Sequence, residues 1–89
     1  MRTIDLTKKA QKYIVKLPPK HQKQVVRHII ALQRNVEPQD SKKLHGYPYY
    51  RVDSGEYRII YTWDGQTVYV LLIGKRNDSE VYRKLDRGR

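Results

Sequence analysis

The fold is decided by the stretch Glu56-Tyr-Arg-Ile-Ile-Tyr-Thr-Trp63, Asp64-Gly65-Gln66 and Thr67-Val-Tyr-Val-Leu-Leu-Ile-Gly74. Its two apolar runs are rich in β-branched and aromatic residues, and the Asp-Gly pair between them is a strong signal for a β-hairpin. Upstream, Tyr49 to Asp53 is predicted to be another strand, joined to the hairpin by a turn at Ser54-Gly55. These segments together predict a three-stranded antiparallel meander.

The N-terminal part has a different hydrophobic period, which predicts one strand and two helices. Arg2 to Leu6 alternates as a short strand would, and Thr7 can cap the helix that follows. Apolar residues recur at helical spacing from Ala10 to Leu17 and again from Val25 to Leu32. Pro18-Pro19 ends the first helix and suits the first turn of the second. The two helices are therefore predicted to form a hairpin.

The predicted element order is β-α-α-β-β-β, which is an α+β fold. Residues 35–48 are predicted to be a polar connection, and the tail from Asp78 to about Leu85 either a last helical turn or a short strand. Each helix has one apolar face, so the helix hairpin is expected to cover one face of a small, mainly antiparallel sheet. Alternation puts Ile59 and Tyr61 on the face opposite to Arg58 and Ile60. The second face is therefore also partly apolar, and we expect it to be open to another chain or a ligand.

Length and composition limit what the chain can be. The 89 residues suffice for one domain, spanning 1–89, and the absence of cysteine excludes disulfide scaffolds, thiolate metal sites and cysteine nucleophiles. The longest apolar run, Val68 to Ile73, is too short to cross a bilayer, and no signal peptide is recognisable. We therefore expect a cytoplasmic location and no membrane partner. The net charge of +10 is concentrated in residues 1–45, and it favours polyanions or an acidic protein as partners.

Arg58 is the residue from which the functional interpretation starts. A charged side chain in the middle of an apolar strand must pair or face a polar cavity, because burying an unpartnered guanidinium is costly. The expected sheet pairing brings Arg51 and Arg76 into its neighbourhood, and Tyr82 can fold back onto them. Fixed guanidinium donors stabilise the doubly charged phosphorane that forms when the 2′-hydroxyl of RNA attacks the adjacent phosphate. That chemistry needs no metal, and the sequence offers no credible set of metal ligands.

Several motifs, taken together and in order, resemble the RelE/ParE superfamily of bacterial toxins. They are Lys43-Leu-His-Gly46, the strand Gly55-Glu-Tyr-Arg-Ile-Ile-Tyr61, Gly74-Lys-Arg76 and the ending Val81-Tyr82. The element order agrees, and the resemblance covers nearly the whole chain. Within the superfamily the chain is more similar to RelE-like nucleases than to ParE. Those nucleases keep an Arg in the strand, an Arg after the last strand and a Tyr beyond it, and these positions fall on Arg58, Arg76 and Tyr82.

The resemblance implies the RelE-like microbial RNase fold and an mRNA endonuclease that cuts in the ribosomal A site and inhibits translation. Arg58 and Arg76 would stabilise the transition state or assist the leaving 5′-oxygen, and Tyr82 would orient or stack on the substrate. Arg51 is counted with them as a catalytic residue. The residues expected to bind substrate are Lys42, Lys43, Tyr49 and Lys75. The expected partners are a neutralising cognate antitoxin, the ribosome and mRNA, with operator DNA contacted only through the antitoxin complex. No cofactor is expected.

The residue that acts as general base is open. RelE-like proteins commonly place two basic residues, two apart, on the strand before the conserved Arg. Here these positions fall on Arg51 and Asp53 or, with the alignment shifted by two, on Tyr49 and Arg51. Arginine is a poor base because its pKa exceeds about 12. His45, Asp53 and Tyr82 are therefore the candidates for proton transfer.

Less specific interpretations also fit the sequence. Arg58 can form a structural ion pair with Glu56 or Asp53, and Tyr57 and Tyr61 are more typical of a core than of an RNA contact.

Two other functions fit as well. One is a ParE-like inhibitor of DNA gyrase, which needs no chemistry. The other is a ribosome-binding or RNA-binding module with weak or lost activity. It fits because Asp53 stands at a position that is usually basic in RelE-like proteins.

Overall fold

The computed structural model describes residues 1–77 and 80–87, which form one five-stranded sheet and three helices. In chain order the elements are β1 (Thr3–Leu6), α1 (Lys8–Val15), α2 (Pro19–Leu32), β2 (Lys42–Lys43), β3 (Tyr50–Ser54), β4 (Tyr57–Trp63), β5 (Thr67–Lys75) and α3 (Glu80–Arg87). The strands lie in the order β1-β5-β4-β3-β2. β1 runs parallel to β5, and the other neighbouring strands are antiparallel. The predicted α+β architecture is confirmed.

α1 and α2 form the predicted hairpin on one face of the sheet. Thr7 caps α1, because its hydroxyl oxygen accepts a hydrogen bond from the Ala10 N–H at 3.1 Å. The same hydroxyl donates to the Leu71 carbonyl at 2.6 Å, which ties the start of α1 to β5. The core between helices and sheet is apolar and contains Ala10, Ile14, Val25, Ile29, Leu32, Val52, Tyr57, Ile59, Tyr61, Val68, Val70 and Ile73.

α3 packs on the opposite face of the sheet. The tail, for which the sequence allows a helical turn or a short strand, forms a helix that buries Val81 and Leu85. These side chains complete a second, smaller core with Leu44, Ile60 and Leu72. The expectation that helices leave this face open is therefore wrong in part. Val81 and Leu85 are spaced i, i+4, which gives the tail an apolar stripe of its own.

β2 is a short edge strand inside the predicted polar connection. Lys42 and Lys43 pair with Arg51 and Tyr50 of β3. A strand of two residues shows no alternation in the sequence, so only the pairing with β3 defines it. At the other end of the chain, Asp78 and Ser79, where the tail was expected to begin, lie outside the described residues.

The two faces of β4 carry the side chains that the alternation predicts. Ile59 and Tyr61 lie in the core under α1 and α2, and Ile60 lies in the core under α3. Arg58 shares the α3 face and reaches Tyr82 of that helix. The fold thus places the guanidinium between the sheet and α3. No helix within the described residues is long and apolar enough to cross a membrane.

Candidate active site

The register of the sheet sets the surroundings of Arg58. In β4 it lies opposite Asp53 of β3 on one side and Gly74 of β5 on the other. A tight turn with Gly55 at φ +60° joins β3 to β4, so the chain reverses directly beside the Asp53–Arg58 pair. On the β3 side the guanidinium is bounded by Asp53. On the β5 side no side chain limits it, because its partner there is Gly74.

Arg58 is held by two groups from different elements. Its Nε donates to Oδ1 of Asp53 at 2.8 Å, and its Nη2 lies 3.4 Å from Oδ2 of the same carboxylate. Its Nη1 donates to the hydroxyl oxygen of Tyr82 at 2.9 Å. The side chains of Arg58 and Asp53 are 15% and 31% exposed, so the pair is largely sheltered but reachable from solvent. The sequence-based alternative of an ion pair with Asp53 is therefore present, together with the predicted approach of Tyr82.

The positive charges of Arg51, Arg58 and Arg76 all act on the Asp53 carboxylate, and we call these three residues the arginine cluster. The hydrogen bond from Arg58 lowers the pKa of Asp53 below its usual value, and the positive charges of all three arginines act in the same direction, against the effect of burial. The Arg76 N–H donates to the Glu56 carbonyl at 3.0 Å, which fixes the backbone of Arg76 beside the start of β4. Asp53 therefore contacts Arg58 directly, and Arg51 and Arg76 act on it through their charges.

The cluster can bind anions but contains no obvious neutral base. Guanidinium groups donate hydrogen bonds and do not accept protons near neutral pH. The lowered pKa of Asp53 keeps that side chain ionised and makes it a weak base. Among the described residues, no group of three or more His, Cys, Asp or Glu side chains is arranged to hold a metal ion.

The other predicted site residues lie around the cluster to different degrees. Lys42 and Lys43 are exposed on the edge strand, where Lys42 pairs with Arg51. Lys75 is exposed at the end of β5, directly before Arg76. His45 is exposed in the loop after β2, and within the described part of the chain no contact connects it to the arginine cluster.

Tyr49 belongs to an aromatic surface that the sequence did not single out. Its ring stacks on that of Tyr47, with centroids 6.3 Å apart and an interplanar angle of 17°. Tyr47 also donates a hydrogen bond to Asp86 of α3. The two rings line a cavity of about 330 Å³ together with Leu72 and Lys84. Tyr47 lies in the loop between two strands, and only the position of α3 brings it to this face.

The chain is similar to several known proteins. A family profile described as "ParE toxin of type II toxin-antitoxin system, parDE" matches residues 4–80. A chain of the RelBE2 toxin–antitoxin complex from Mycobacterium tuberculosis is 28% identical, with a TM-score of 0.74, over 84% of this chain and 98% of that one. A mutant of the Escherichia coli toxin RelE in the free state is 25% identical, with a TM-score of 0.78, over 97% of this chain and 96% of that one.

An archaeal relative has the same fold. A chain of the RelE–RelB complex from Pyrococcus horikoshii is 25% identical, with a TM-score of 0.74, over 85% of this chain and 96% of that one. Comparison with curated protein sequences gave no significant match.

Proposed function

The chain belongs to the ParE toxin family of type II toxin–antitoxin systems, within the RelE/ParE superfamily, and from this premise we propose that it is an endonuclease that cuts mRNA in the ribosomal A site. The 2′-hydroxyl of the RNA attacks the adjacent phosphate, and the 5′-oxygen leaves. The activity requires no metal, takes place in the cytoplasm and stops translation.

The observation that carries this proposal is the arginine cluster with Tyr82 bound to one of its members. Arg58 supplies a guanidinium donor at a partly sheltered position, where charge developing on a phosphate is stabilised more strongly than in water, and Arg76 supplies a second donor from an exposed position beside it. One such donor contributes roughly 2.7–4 kcal/mol in related oxyanion sites. Tyr82 fixes Arg58 through its hydroxyl and presents a ring to the RNA bases.

We assign substrate positioning to the basic residues around the cluster. Lys42, Lys43 and Lys75 would bind phosphates on either side of the scissile bond, and Tyr49 would offer a face for stacking. Arg51 would act with Arg58 and Arg76 on the reacting phosphate. The base is one of His45, Asp53 and Tyr82, of which Asp53 is the weakest because its pKa is lowered. Since no complete acid/base pair lies in the cluster, the ribosome has to orient the mRNA. The free protein is therefore expected to cut naked RNA poorly.

A cognate antitoxin is the second partner in this proposal. The relatives from M. tuberculosis and P. horikoshii were solved as toxin–antitoxin complexes. A chain with a net charge of +10 suits an antitoxin with acidic segments. Such a segment would neutralise the toxin by covering the arginine cluster or by displacing Tyr82. Operator DNA would be contacted through the antitoxin.

The test is to map new 5′ ends on a reporter mRNA in a purified translation system, with and without ribosomes. The expected result is cuts at A-site codons that need ribosomes and survive EDTA. Arg76→Ala should lower the rate by about 10²–10³-fold, whereas Arg34→Ala, which removes an exposed arginine at the end of α2, should not change it. Intact mRNA at high protein concentration would overturn the proposal.

Inhibition of DNA gyrase is a second candidate, because the matching family profile is that of ParE toxins. It predicts double-strand breaks in plasmid DNA incubated with purified gyrase and the toxin, together with intact mRNA. Arg76→Ala would leave these breaks unchanged. Gyrase that religates plasmid normally in the presence of the toxin would exclude this candidate.

A further inference from the structure

The side edge of the Arg58 guanidinium is already occupied by a carboxylate. A guanidinium carries five N–H groups, and it binds carboxylates and phosphates best when two of them point to two oxygens. In Arg58 the Nε and Nη2 groups face the two oxygens of Asp53, at 2.8 and 3.4 Å. A third N–H, on Nη1, is donated to Tyr82. A phosphate that approaches this edge therefore finds its binding position already occupied by the Asp53 carboxylate.

The position of Asp53 is fixed by the backbone. It lies directly opposite Arg58 in the β3–β4 ladder, two residues before the Gly55 turn. The neighbouring Val52 and Ser54 are buried on the opposite face, Val52 in the core under α1 and α2 and Ser54 in a hydrogen bond with His28 of α2, so β3 cannot rotate to move the carboxylate away. The side chain itself is 31% exposed and can swing toward solvent. Asp53 is thus held near Arg58 but can be displaced by a competing anion.

The charge of Asp53 acts on the whole arginine cluster. The same interactions with Arg51, Arg58 and Arg76 that lower its pKa lower the positive potential that these arginines present to RNA. A phosphodiester must compete with this internal carboxylate, since like charges at a shared site repel.

We propose that Asp53 is a positioning residue that also competes with the RNA phosphate: it orients Arg58 and, by occupying its side edge, weakens the binding of phosphodiesters to the arginine cluster. This inference rests on the proposed function, because it takes RNA as the ligand. Free RNA then binds poorly, whereas an mRNA held by the ribosome brings its phosphate in at high effective concentration and displaces the carboxylate.

The test measures binding of the full chain to a fluorescent single-stranded RNA in which every 2′-hydroxyl is methylated. Asp53→Asn removes the charge and keeps the size, and it should bind this RNA roughly 3–10-fold more tightly near 0.1 M salt, because Arg58 becomes free to pair with a phosphate. One more neutralised phosphate should also make the slope of log K against log salt steeper by about 0.7. A purely structural ion pair predicts unchanged or weaker binding.

Two further variants separate a local effect from a general change in charge. Asp40→Asn removes the same charge from an exposed position on the helix side of the sheet, and it should change the affinity less than twofold. In an Arg58→Gln background, Asp53→Asn should no longer increase affinity or slope. An equal gain in both backgrounds would overturn the proposal.

The readout is independent of cleavage, because a methylated strand has no attacking hydroxyl. If the ribosome assay fails and Asp53→Asn still binds more tightly, the competition stands without the nuclease. If the ribosome assay succeeds and affinity does not rise, the competition is wrong and the nuclease stands. Asp53→Ser is the second variant if Asp53→Asn does not fold. Failure of both to fold would overturn the proposal, since Asp53 would then be needed only for the structure.

Discussion

At the scale of single residues, Arg58 shows how a structural and a functional interpretation can hold for the same side chain. Its pairing with Asp53 explains how a guanidinium is tolerated in an apolar strand. Its hydrogen bond to Tyr82 links that pair to α3, which the ion pair alone would not require. If RNA binds here as proposed, the phosphate would replace Asp53 as a partner of Arg58 rather than fill an empty site.

Tyr82→Phe tests the link between Arg58 and α3. The change removes the hydroxyl that accepts the Arg58 Nη1 hydrogen bond and keeps the ring. A hydrogen bond to a charged group is worth roughly 1.5–3 kcal/mol, so the single-turnover cleavage rate on programmed ribosomes should fall about 10–150-fold. Tyr69→Phe is the control, because it removes a hydroxyl bonded to Asp64 in the β4–β5 hairpin. A wild-type rate for Tyr82→Phe would show that the hydroxyl has no role in cleavage.

The Asp53–Arg58 pair should also make stability depend on pH. The pKa of Asp53 is lowered from 3.8 in the folded protein, so its contribution is fully present above that value and is lost as the pH falls through the lower, folded pKa. At pH 7, Asp53→Asn should cost about 1 kcal/mol, a modest value because the pair is partly solvated. Urea unfolding of wild type and variant at pH 7 and below pH 3.8 measures this. If the wild type stayed more stable than Asp53→Asn by the same amount in acid, the stabilisation would not come from the ionised Asp53–Arg58 pair.

At the scale of elements, the sequence predicts those that have a clear hydrophobic period. β1, α1, α2 and the β3–β4–β5 meander follow from the periods of 2 and 3.6 and from the turn residues. β2 has only two residues, and α3 has eight, which is too few for a helix to be stable without packing. Both exist because of contacts with the sheet, and these contacts are not visible in the local pattern.

In the candidate site, too, some contacts follow from the local sequence pattern and others depend on packing. The neighbourhood of Arg51, Arg58 and Arg76 follows from strand register, which the turn residues fix. The sequence left Glu56 and Asp53 as equal partners for Arg58. The β3–β4 register places Asp53 directly opposite Arg58, whereas Glu56 lies in the turn, with its carboxylate 3.9 Å from His21 of α2. The sequence predicts that Tyr82 can approach the arginines, but which arginine its hydroxyl binds and the surface around Tyr47 could not be derived, since both depend on where α3 packs.

The β3–β4 turn is predicted to be sensitive to one methyl group. Gly55 has φ +60°, and a Cβ there would lie 2.7 Å from Oε1 of Gln24. Gly55→Ala should destabilise the protein by about 1–2 kcal/mol from the left-handed backbone alone, because the flexible Gln24 side chain can move. At Gly65 a Cβ would have no neighbour within 4 Å, so Gly65→Ala should cost clearly less. Thermal unfolding of both variants tests this, and equal losses would contradict it.

α3 is predicted to depend on its apolar stripe for docking. Val81 is fully buried between α3 and the sheet, and removing two methyl groups should cost about 2 kcal/mol. In Val81→Ala, amide hydrogen exchange in α3 should accelerate more than in β4 and β5, because the helix opens locally. Arg83→Ala changes an exposed position of the same helix and is the control. Uniform acceleration over the whole chain would instead mean that α3 unfolds only with the sheet.

At the scale of the whole molecule, positive charge lies on both sides of the sheet. The arginine cluster is on the α3 side. α1 and α2 cover the other side, and neither contains Asp or Glu. The helix surface is therefore basic throughout and contributes to the net charge of +10 without taking part in the cluster. Under the proposed function, long-range attraction and local chemistry would be carried by different surfaces of a small domain.

This separation predicts that the two surfaces affect different kinetic parameters. A triple variant with Lys12→Gln, Lys23→Gln and Arg27→Gln removes three exposed charges from α1 and α2. It should raise KM for programmed ribosomes. It should also make the slope of log K against log salt shallower by up to about 2, because fewer phosphate contacts release fewer counterions on binding. kcat should stay near wild type, since none of the three residues contacts the cluster.

Arg76→Gln is the matched variant on the other surface, and it should lower kcat much more than it changes KM. Single-turnover cleavage at saturating and subsaturating ribosome concentrations, at two salt concentrations, distinguishes the two patterns. If the triple variant lowered kcat as Arg76→Gln does, the basic helices would have to act on the bound mRNA itself. The attraction and the chemistry would then belong to one continuous surface that wraps around the sheet.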